Sequence, residues 1–258
     1  MNDNAYTVEL APGGETFEVE AGETVLDAAL RQGFNLQYGC RHGNCSTCKY
    51  LLEDGEVDHG HASAYALPDD ERDEGYALLC CAQPLSDLLI RDKREPDTRA
   101  KPLLKPARRE ARVSACTQLT PELWELRLEL PEALTFYAGQ FAELGLGDGD
   151  DEVWRSYSMA SSPSAAREPS FVIKHIPGGR FSGRLPALAP GSPLLLRGPF
   201  GTSYLREGSR PVLFCAIGSG LAPVLSMLRE AAERGDPRRF RLFYGARRPA
   251  DLPCGEEI

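Results

Sequence analysis

The segment spanning residues 38–50, YGCRHGNCSTCKY, decides the fold. It places thiols at Cys40, Cys45 and Cys48, a Cys-x4-Cys-x2-Cys run compact enough for one loop to hold a metal centre. Three centres compete for such a run. Structural zinc usually takes two Cys-x2-Cys arms, and only one is present; His42, His59 and His61 read as exposed loop residues. A disulfide requires an oxidising compartment. An iron–sulfur cluster bound by four thiolates is anionic, so main-chain N–H groups must approach it closely. Gly39 and Gly43, with the small Asn44, Ser46 and Thr47, permit that wrapping. The spacing, with a distant fourth cysteine, fits a [2Fe–2S] cluster. For the fourth thiol, LLCCA offers both Cys80 and Cys81. Neighbours on a strand point to opposite faces, so only one can readily reach the cluster, and chemistry alone leaves both open.

With 258 residues and 42% hydrophobic content, the chain has mass for two or three ordinary globular domains. No apolar run approaches the length of a membrane helix. The opening MNDNAYTVEL is acidic and polar, unlike an export signal, which leads us to expect a cytoplasmic protein with reduced thiols. The net charge of −9 is unevenly spread: residues 1–95 carry 19 acidic and 7 basic side chains, the remainder 19 and 22. Runs such as LPDDERDE repel phosphate and argue against nucleic acid as a partner. The segregation also suits steering of a charged protein partner.

Working outward from the cysteine loop, AYTVEL and TFEVE alternate around PGG and read as a hairpin. ETVLDAALRQG reads as a helix, with Thr24 as cap, Asp27 in the capping-box position and Gly33 as stop. YALLCCAQPLSDLLI reads as strand, turn, strand. These elements make an α+β domain over residues 1–95, followed by a proline- and charge-rich linker over 96–107. From 108 to 207 the pattern turns to short strands. LWELRLEL alternates at Trp124, Leu126, Leu128 and Leu130, and GQFAELGL, SFVIKHI and SPLLLRG continue it, predicting a small antiparallel β-barrel. From 208 to 258, PVLFCAI reads as a strand buried on both faces. A Gly-Ser-Gly turn, a helix and FRLFYGA follow, the opening of a doubly wound α/β domain that is incomplete at two strands and one helix.

GYALLCCAQPLSD resembles the plant-type ferredoxin motif, whose ligand lies five residues after Gly and four before Pro. Gly75 and Pro84 thereby imply Cys80, leaving Cys81, Cys116, Cys215 and Cys254 as small apolar residues. RSYSMASSP resembles the flavin signature of the ferredoxin–NADP reductase superfamily. It implies Arg155, Ser156, Tyr157 and Ser158 as FAD contacts: a cation for the pyrophosphate, a π face for the isoalloxazine and a hydroxyl for a ring nitrogen. GGRFSGRL resembles that family's Gly-x-x-Ser element, implying Gly179, Arg180, Phe181 and Ser182 at the FAD phosphate. The preceding Lys174, His175 and Ile176 fall where the family meets the ribityl and adenine parts. CAIGSGLAPVLSML is similar to the pyridine-nucleotide turn, with Ile217 where a first Gly is common. It implies Gly218, Ser219 and Gly220 as NADH contacts, joined by Gly245 and Arg247 of FYGAR.

Together these motifs resemble the reductase components of bacterial multicomponent oxygenases: a β-grasp [2Fe–2S] ferredoxin, an FAD barrel and an NAD domain. The ferredoxin segment is similar to reductases of phenol and toluene monooxygenases, the flavin segment to those of methane, propane and alkene monooxygenases. The resemblance implies an NADH-dependent oxidoreductase. It would pass electrons through FAD and a [2Fe–2S] cluster to the oxygenase (hydroxylase) component of a soluble di-iron system. No side chain need act as acid or base. It implies a monomer with no membrane partner. Reductases of ring-hydroxylating dioxygenases, a ferredoxin-type carrier without efficient NADH oxidation and a zinc-stapled interaction protein are the alternatives. The family's later Cys-Gly-Pro motif and terminal aromatic are missing, which leads us to expect a chain truncated at the C-terminal end.

Overall fold

A computed structural model describes residues 5–94, 101–147 and 152–253. It divides into two compact units, residues 1–105 and 106–258.

In the first unit, Tyr6–Ala11 (β1) and Glu15–Val19 (β2) form the expected hairpin, with Val8, Phe17 and Val19 turned inward. Val25–Gln32 (α1) follows; its inner face buries Val25, Leu26, Ala28, Ala29 and Leu30. Thr24 Oγ1 accepts the Asp27 N–H at 3.2 Å, and Gly33, at φ 95°, ends the helix in the left-handed conformation. The Asp27 carboxylate does not complete a capping box; it pairs with Arg41 at 2.5 Å, drawn there by a guanidinium 7% exposed. Lys49–Asp54 (β3), Val57–Asp58 (β4), Asp69–Asp73 (α2), Tyr76–Leu78 (β5), Gln83–Pro84 (β6) and Leu88–Arg91 (β7) complete the unit. The main sheet runs β2-β1-β7-β3-β5, with β1 parallel to β7. A mixed sheet of this order packed by α1 is the expected β-grasp arrangement.

The second unit holds an antiparallel six-stranded sheet built from Ala107–Gln118 (β8), Leu123–Glu129 (β9), Phe141–Leu146 (β10), Val153–Ser158 (β11), Ser170–Lys174 (β12) and Pro193–Phe200 (β13). The order is β11-β10-β13-β8-β9-β12. A Met159–Phe171 bridge joins its two edges, closing the sheet into a near-barrel. Leu126, Leu128, Leu144, Phe171, Ile173 and Leu196 fill the interior at 0% exposure. The alternation in LWELRLEL therefore carries the inward register.

Val212–Ile217 (β14), Leu221–Glu233 (α3) and Phe240–Gly245 (β15) then form a parallel β-α-β unit. Contrary to the sequence expectation, β14 is not buried on both faces. Leu213 is 61% and Ile217 74% exposed, and Cys215 is exposed rather than sequestered. Within the described residues, a single helix packs on this two-stranded sheet and covers one face only. Cys254 lies outside the described residues, as do residues 96–100 of the expected linker.

Candidate functional site

The cysteine loop takes its shape from backbone conformation. Arg41 (φ 60°), Gly43 (φ 67°) and Ser46 (φ 57°) are all left-handed, and such residues curl a short loop so that its N–H groups face inward. The Cys40 N–H donates to Cys45 Sγ and the His42 N–H to Cys40 Sγ, each at 3.3 Å. A Cβ at Gly39 would stand 3.0 Å from Cys45 Sγ, and one at Gly43 only 2.8 Å from Cys81 Sγ. At Gly43 close approach and a left-handed φ together require glycine, and at Gly39 a side chain would crowd its neighbours. Arg94 closes the rim by donating to the Thr47 carbonyl.

Cys80 and Cys81 sit in a turn after β5, not on a strand, so the opposite-face reasoning does not apply. Their sulfurs lie 3.6 Å apart. The first turn of α1 holds them: the Val25 N–H donates to the Ala82 carbonyl and the Leu26 N–H to that of Leu79, both at 3.0 Å. Two orphan helix donors thereby bracket the paired cysteines. Sequence reasoning missed this docking, although Thr24 marked the helix start that does it.

The thiols associate in pairs. Cys48 and Cys80 are both buried, and their mutual hydrogen bond lowers the Cys80 thiol while that bond and burial raise Cys48. The Cys81 thiol and the Gly43 N–H lower Cys80 further. Cys45 is exposed; burial alone would raise it, but hydrogen bonds from Cys40 and Thr47 bring it down. Among the described residues, no three His, Cys, Asp or Glu side chains converge as ligands of a single ion. Cys48 and Cys80 are buried, whereas Cys45 is exposed and Cys40 half-buried. His42 and His61 are exposed, as expected. His59 is only half-exposed, with Nδ1 buried and unpartnered.

In the second unit, Arg155, Ser156, Tyr157 and Ser158 lie on β11, the strand at the barrel seam. Arg155 is exposed and its Nη1 donates to the Trp154 carbonyl at 2.7 Å. The Tyr157 ring packs 5.2 Å from that of Phe181, which is 1% exposed. Burial raises the Tyr157 phenol to about 12, and Arg155 only partly offsets this. The Gly179–Ser182 element folds back on itself: the Gly179 N–H donates to the Ile176 carbonyl at 2.9 Å and the Gly183 N–H to that of Gly179 at 3.0 Å. A Cβ at Gly179 would meet the Ile176 carbonyl and Ser182 Oγ at 2.9 Å. Arg180 and the 56%-exposed Ile176 flank it at the surface.

The nucleotide turn Gly218–Gly220 is a single 3-10 turn leading into α3, with Gly218 at φ 52°. Gly245 pairs with Ile217 across the parallel strands, and a Cβ there would meet Ile217 Cγ2 at 2.9 Å. The bulk at Ile217, where the family motif has glycine, is thus matched by a glycine opposite. Gly218, Ser219, Gly245, Arg247 and Lys174 line one cleft of about 530 Å³. The side chain of Lys174, expected at FAD, pairs with Glu122 in this cleft, while the His175 N–H donates to the Glu122 carbonyl at 2.7 Å. Glu122 itself was missed, because a single glutamate beside a strand carries no motif.

A thiol loop with inward N–H groups, a barrel carrying a flavin-type strand and a β-α-β nucleotide cleft define a three-part electron transferase. The chain matches the family models for a 2Fe-2S iron-sulfur cluster binding domain (residues 8–85), an oxidoreductase FAD-binding domain (110–204) and an oxidoreductase NAD-binding domain (214–258). It is 42% identical over 253 residues to the phenol 2-monooxygenase reductase component DmpP of Pseudomonas sp. (strain CF600), covering 96% of this chain and 70% of that one. With the propane 2-monooxygenase reductase component of Mycolicibacterium smegmatis it shares 37% over 259 residues, covering 99% and 74%. The crystal structure of the Amycolatopsis cytochrome P450 reductase GcoB superposes with a TM-score of 0.83 at 31% identity, over 96% of this chain and 74% of that one. The chain belongs to the family of NADH-dependent reductase components of multicomponent monooxygenases, which use FAD and a [2Fe–2S] cluster.

Proposed function

We propose that this reductase serves the hydroxylase component of a soluble di-iron monooxygenase, as a monomer in the cytoplasm. Its organisation is ferredoxin domain 1–95, linker 96–107, FAD domain 108–207 and NAD-binding segment 208–258. The named roles of its phenol and propane monooxygenase relatives support the choice of acceptor. Among the described residues, no helix is long and apolar enough to cross a membrane.

Cys40, Cys45, Cys48 and Cys80 hold the cluster. The observation that carries this assignment is a cysteine loop whose Cys40 and His42 N–H groups aim at sulfur, with Cys48 and Cys80 both buried. FAD lies against β11: Arg155 takes the pyrophosphate, Tyr157 and Phe181 shield the ring from water, and Ser156 and Ser158 offer hydroxyls. Gly179, Arg180 and Ser182 take a phosphate, with Lys174, His175 and Ile176 beside the ribityl and adenine parts. The Gly218, Ser219 and Gly220 backbone, with Gly245 and Arg247, receives NADH. When bound, the flavin accepts the two electrons of a hydride and the cluster carries them singly. Binding and positioning are the whole task of these side chains, and none acts as a general acid or base.

Anaerobic addition of NADH to the purified, cofactor-loaded protein tests the reading. A reduced-cluster EPR signal should appear and survive Cys81→Ala but not Cys80→Ala. The reverse pattern would transfer the ligand role to Cys81. Electron delivery should be faster to a di-iron hydroxylase than to a ring-hydroxylating dioxygenase; the opposite order refutes the choice of acceptor.

A further inference from the structure

The segment that follows β7 returns to the cysteine loop. The Asp92 carboxylate accepts from Arg94 at three places: the backbone N–H at 3.0 Å, Nε at 2.7 Å and Nη2 at 2.8 Å. This fork fixes the guanidinium and leaves Nη1 to donate to the Thr47 carbonyl. The same guanidinium lies over the Tyr50 ring, with Cζ 5.2 Å from the ring centroid. Tyr50 is 4% exposed, and its hydroxyl accepts the Gln37 N–H at 3.1 Å. Arg94 and Tyr50 together therefore hold both ends of the loop, its entry at Gln37 and its exit at Thr47.

The Thr47 carbonyl and the Cys48 N–H belong to one planar peptide group. A guanidinium on the oxygen polarises that group and strengthens the N–H at its other end, next to a ligand thiol. The cation also acts directly. A cluster held by four thiolates is anionic, and one more electron adds a further negative charge, so a positive charge fixed on the loop favours the reduced form. Asp92 offsets part of that charge while holding it in place. We propose that Arg94 is a positioning residue for the electron-transfer step: anchored by Asp92 and Tyr50, it holds the exit of the cysteine loop and raises the reduction potential of the cluster. The inference rests on the assignment of the cluster to Cys40, Cys45, Cys48 and Cys80.

Potentiometric titration of the cofactor-loaded protein at fixed low salt, followed by the EPR signal of the reduced cluster, tests it. The Arg94 side chain is 38% exposed, so R94Q opens no core cavity, and its unfolding midpoint checks the fold. R94Q should lower the equilibrium constant for cluster reduction by roughly three- to tenfold, about 30–60 mV for one electron. D92N keeps an acceptor for Arg94 but removes the offsetting charge. It should shift the potential the other way, which loosening of the loop alone would not do. An R94Q potential within about 10 mV of wild type, or a D92N potential that does not rise, overturns the proposal and leaves the cluster assignment intact. Wild-type protein that gives no reduced-cluster signal overturns the cluster assignment, and the proposal with it.

Discussion

Replacing Gly43 by alanine, with Gly22→Ala as control, separates backbone strain from crowding at the cysteine loop. Both glycines belong to the first unit and both are left-handed, at φ 67° and 79°. The conformational cost is therefore similar, roughly 1–2 kcal/mol at each. Their surroundings differ. A Cβ at Gly22 meets nothing within 4 Å, whereas one at Gly43 meets Cys81 Sγ at 2.8 Å, Ala62 Cα at 3.1 Å and the His61 carbonyl at 3.2 Å. Two of those three are backbone atoms, so the crowding is not relieved by a rotamer change. Overpacking of this kind costs about 1–3 kcal/mol beyond the strain. In a unit near 100 residues, that difference becomes about 4–24 °C in unfolding midpoint. Thermal melts of the cluster-loaded variants, followed at one scan rate by loss of visible absorption, measure it, the common rate being needed because cluster loss makes unfolding irreversible. Gly43→Ala should bleach well below Gly22→Ala. Midpoints agreeing within about 2 °C would refute the crowding argument.

Thr24→Ala removes the acceptor of the Asp27 N–H and should destabilise the first unit by about 1 kcal/mol, read by urea unfolding; no change would mean that the docking onto Leu79 and Ala82 caps the helix alone. Tyr157 gives a pH test in the second unit. Its phenol is raised from 10 to about 12, so the folded protein holds that proton more tightly than the unfolded chain. Its contribution to stability should be complete below pH 10 and lost as pH rises from 10 towards 12. The phenolate absorbance difference between wild type and Tyr157→Phe should titrate near 12, and a midpoint near 10 would show that burial does not govern this ring.

Much of the architecture was legible because its signals are local. Alternation at Leu126 and Leu128 and the Thr24 and Gly33 caps describe their elements without tertiary information. The cysteine spacing is legible for the same reason, since one loop supplies three thiols. What escaped depends on partners far along the chain. Apolarity in PVLFCAI records composition, not how many faces a neighbour covers, so the exposure of Leu213 and Ile217 was invisible. The turn at Cys80 and Cys81 is imposed by the first turn of α1, more than fifty residues earlier, and overrides a strand-like pattern. Lys174 and Arg247 read as cofactor contacts, and nothing in the sequence points to Glu122, which bridges them.

The last residues of the flavin-type segment RSYSMASSP have a separate mechanical duty. Ser226 Oγ donates to the Ser161 carbonyl at 2.7 Å, Arg229 Nη1 to that of Ala160 at 2.9 Å, and Glu233 accepts from Ser162 at 2.5 Å and Ser164 at 3.0 Å. These three helix residues, spaced at three and four, fasten α3 to the loop that follows β11. The helix begins at the nucleotide turn, so it works as a gauge block between the turn and the flavin strand. With the cofactors placed as proposed, hydride donor and acceptor would meet at a span already machined into the fold, with no need to order the two half-sites at each turnover.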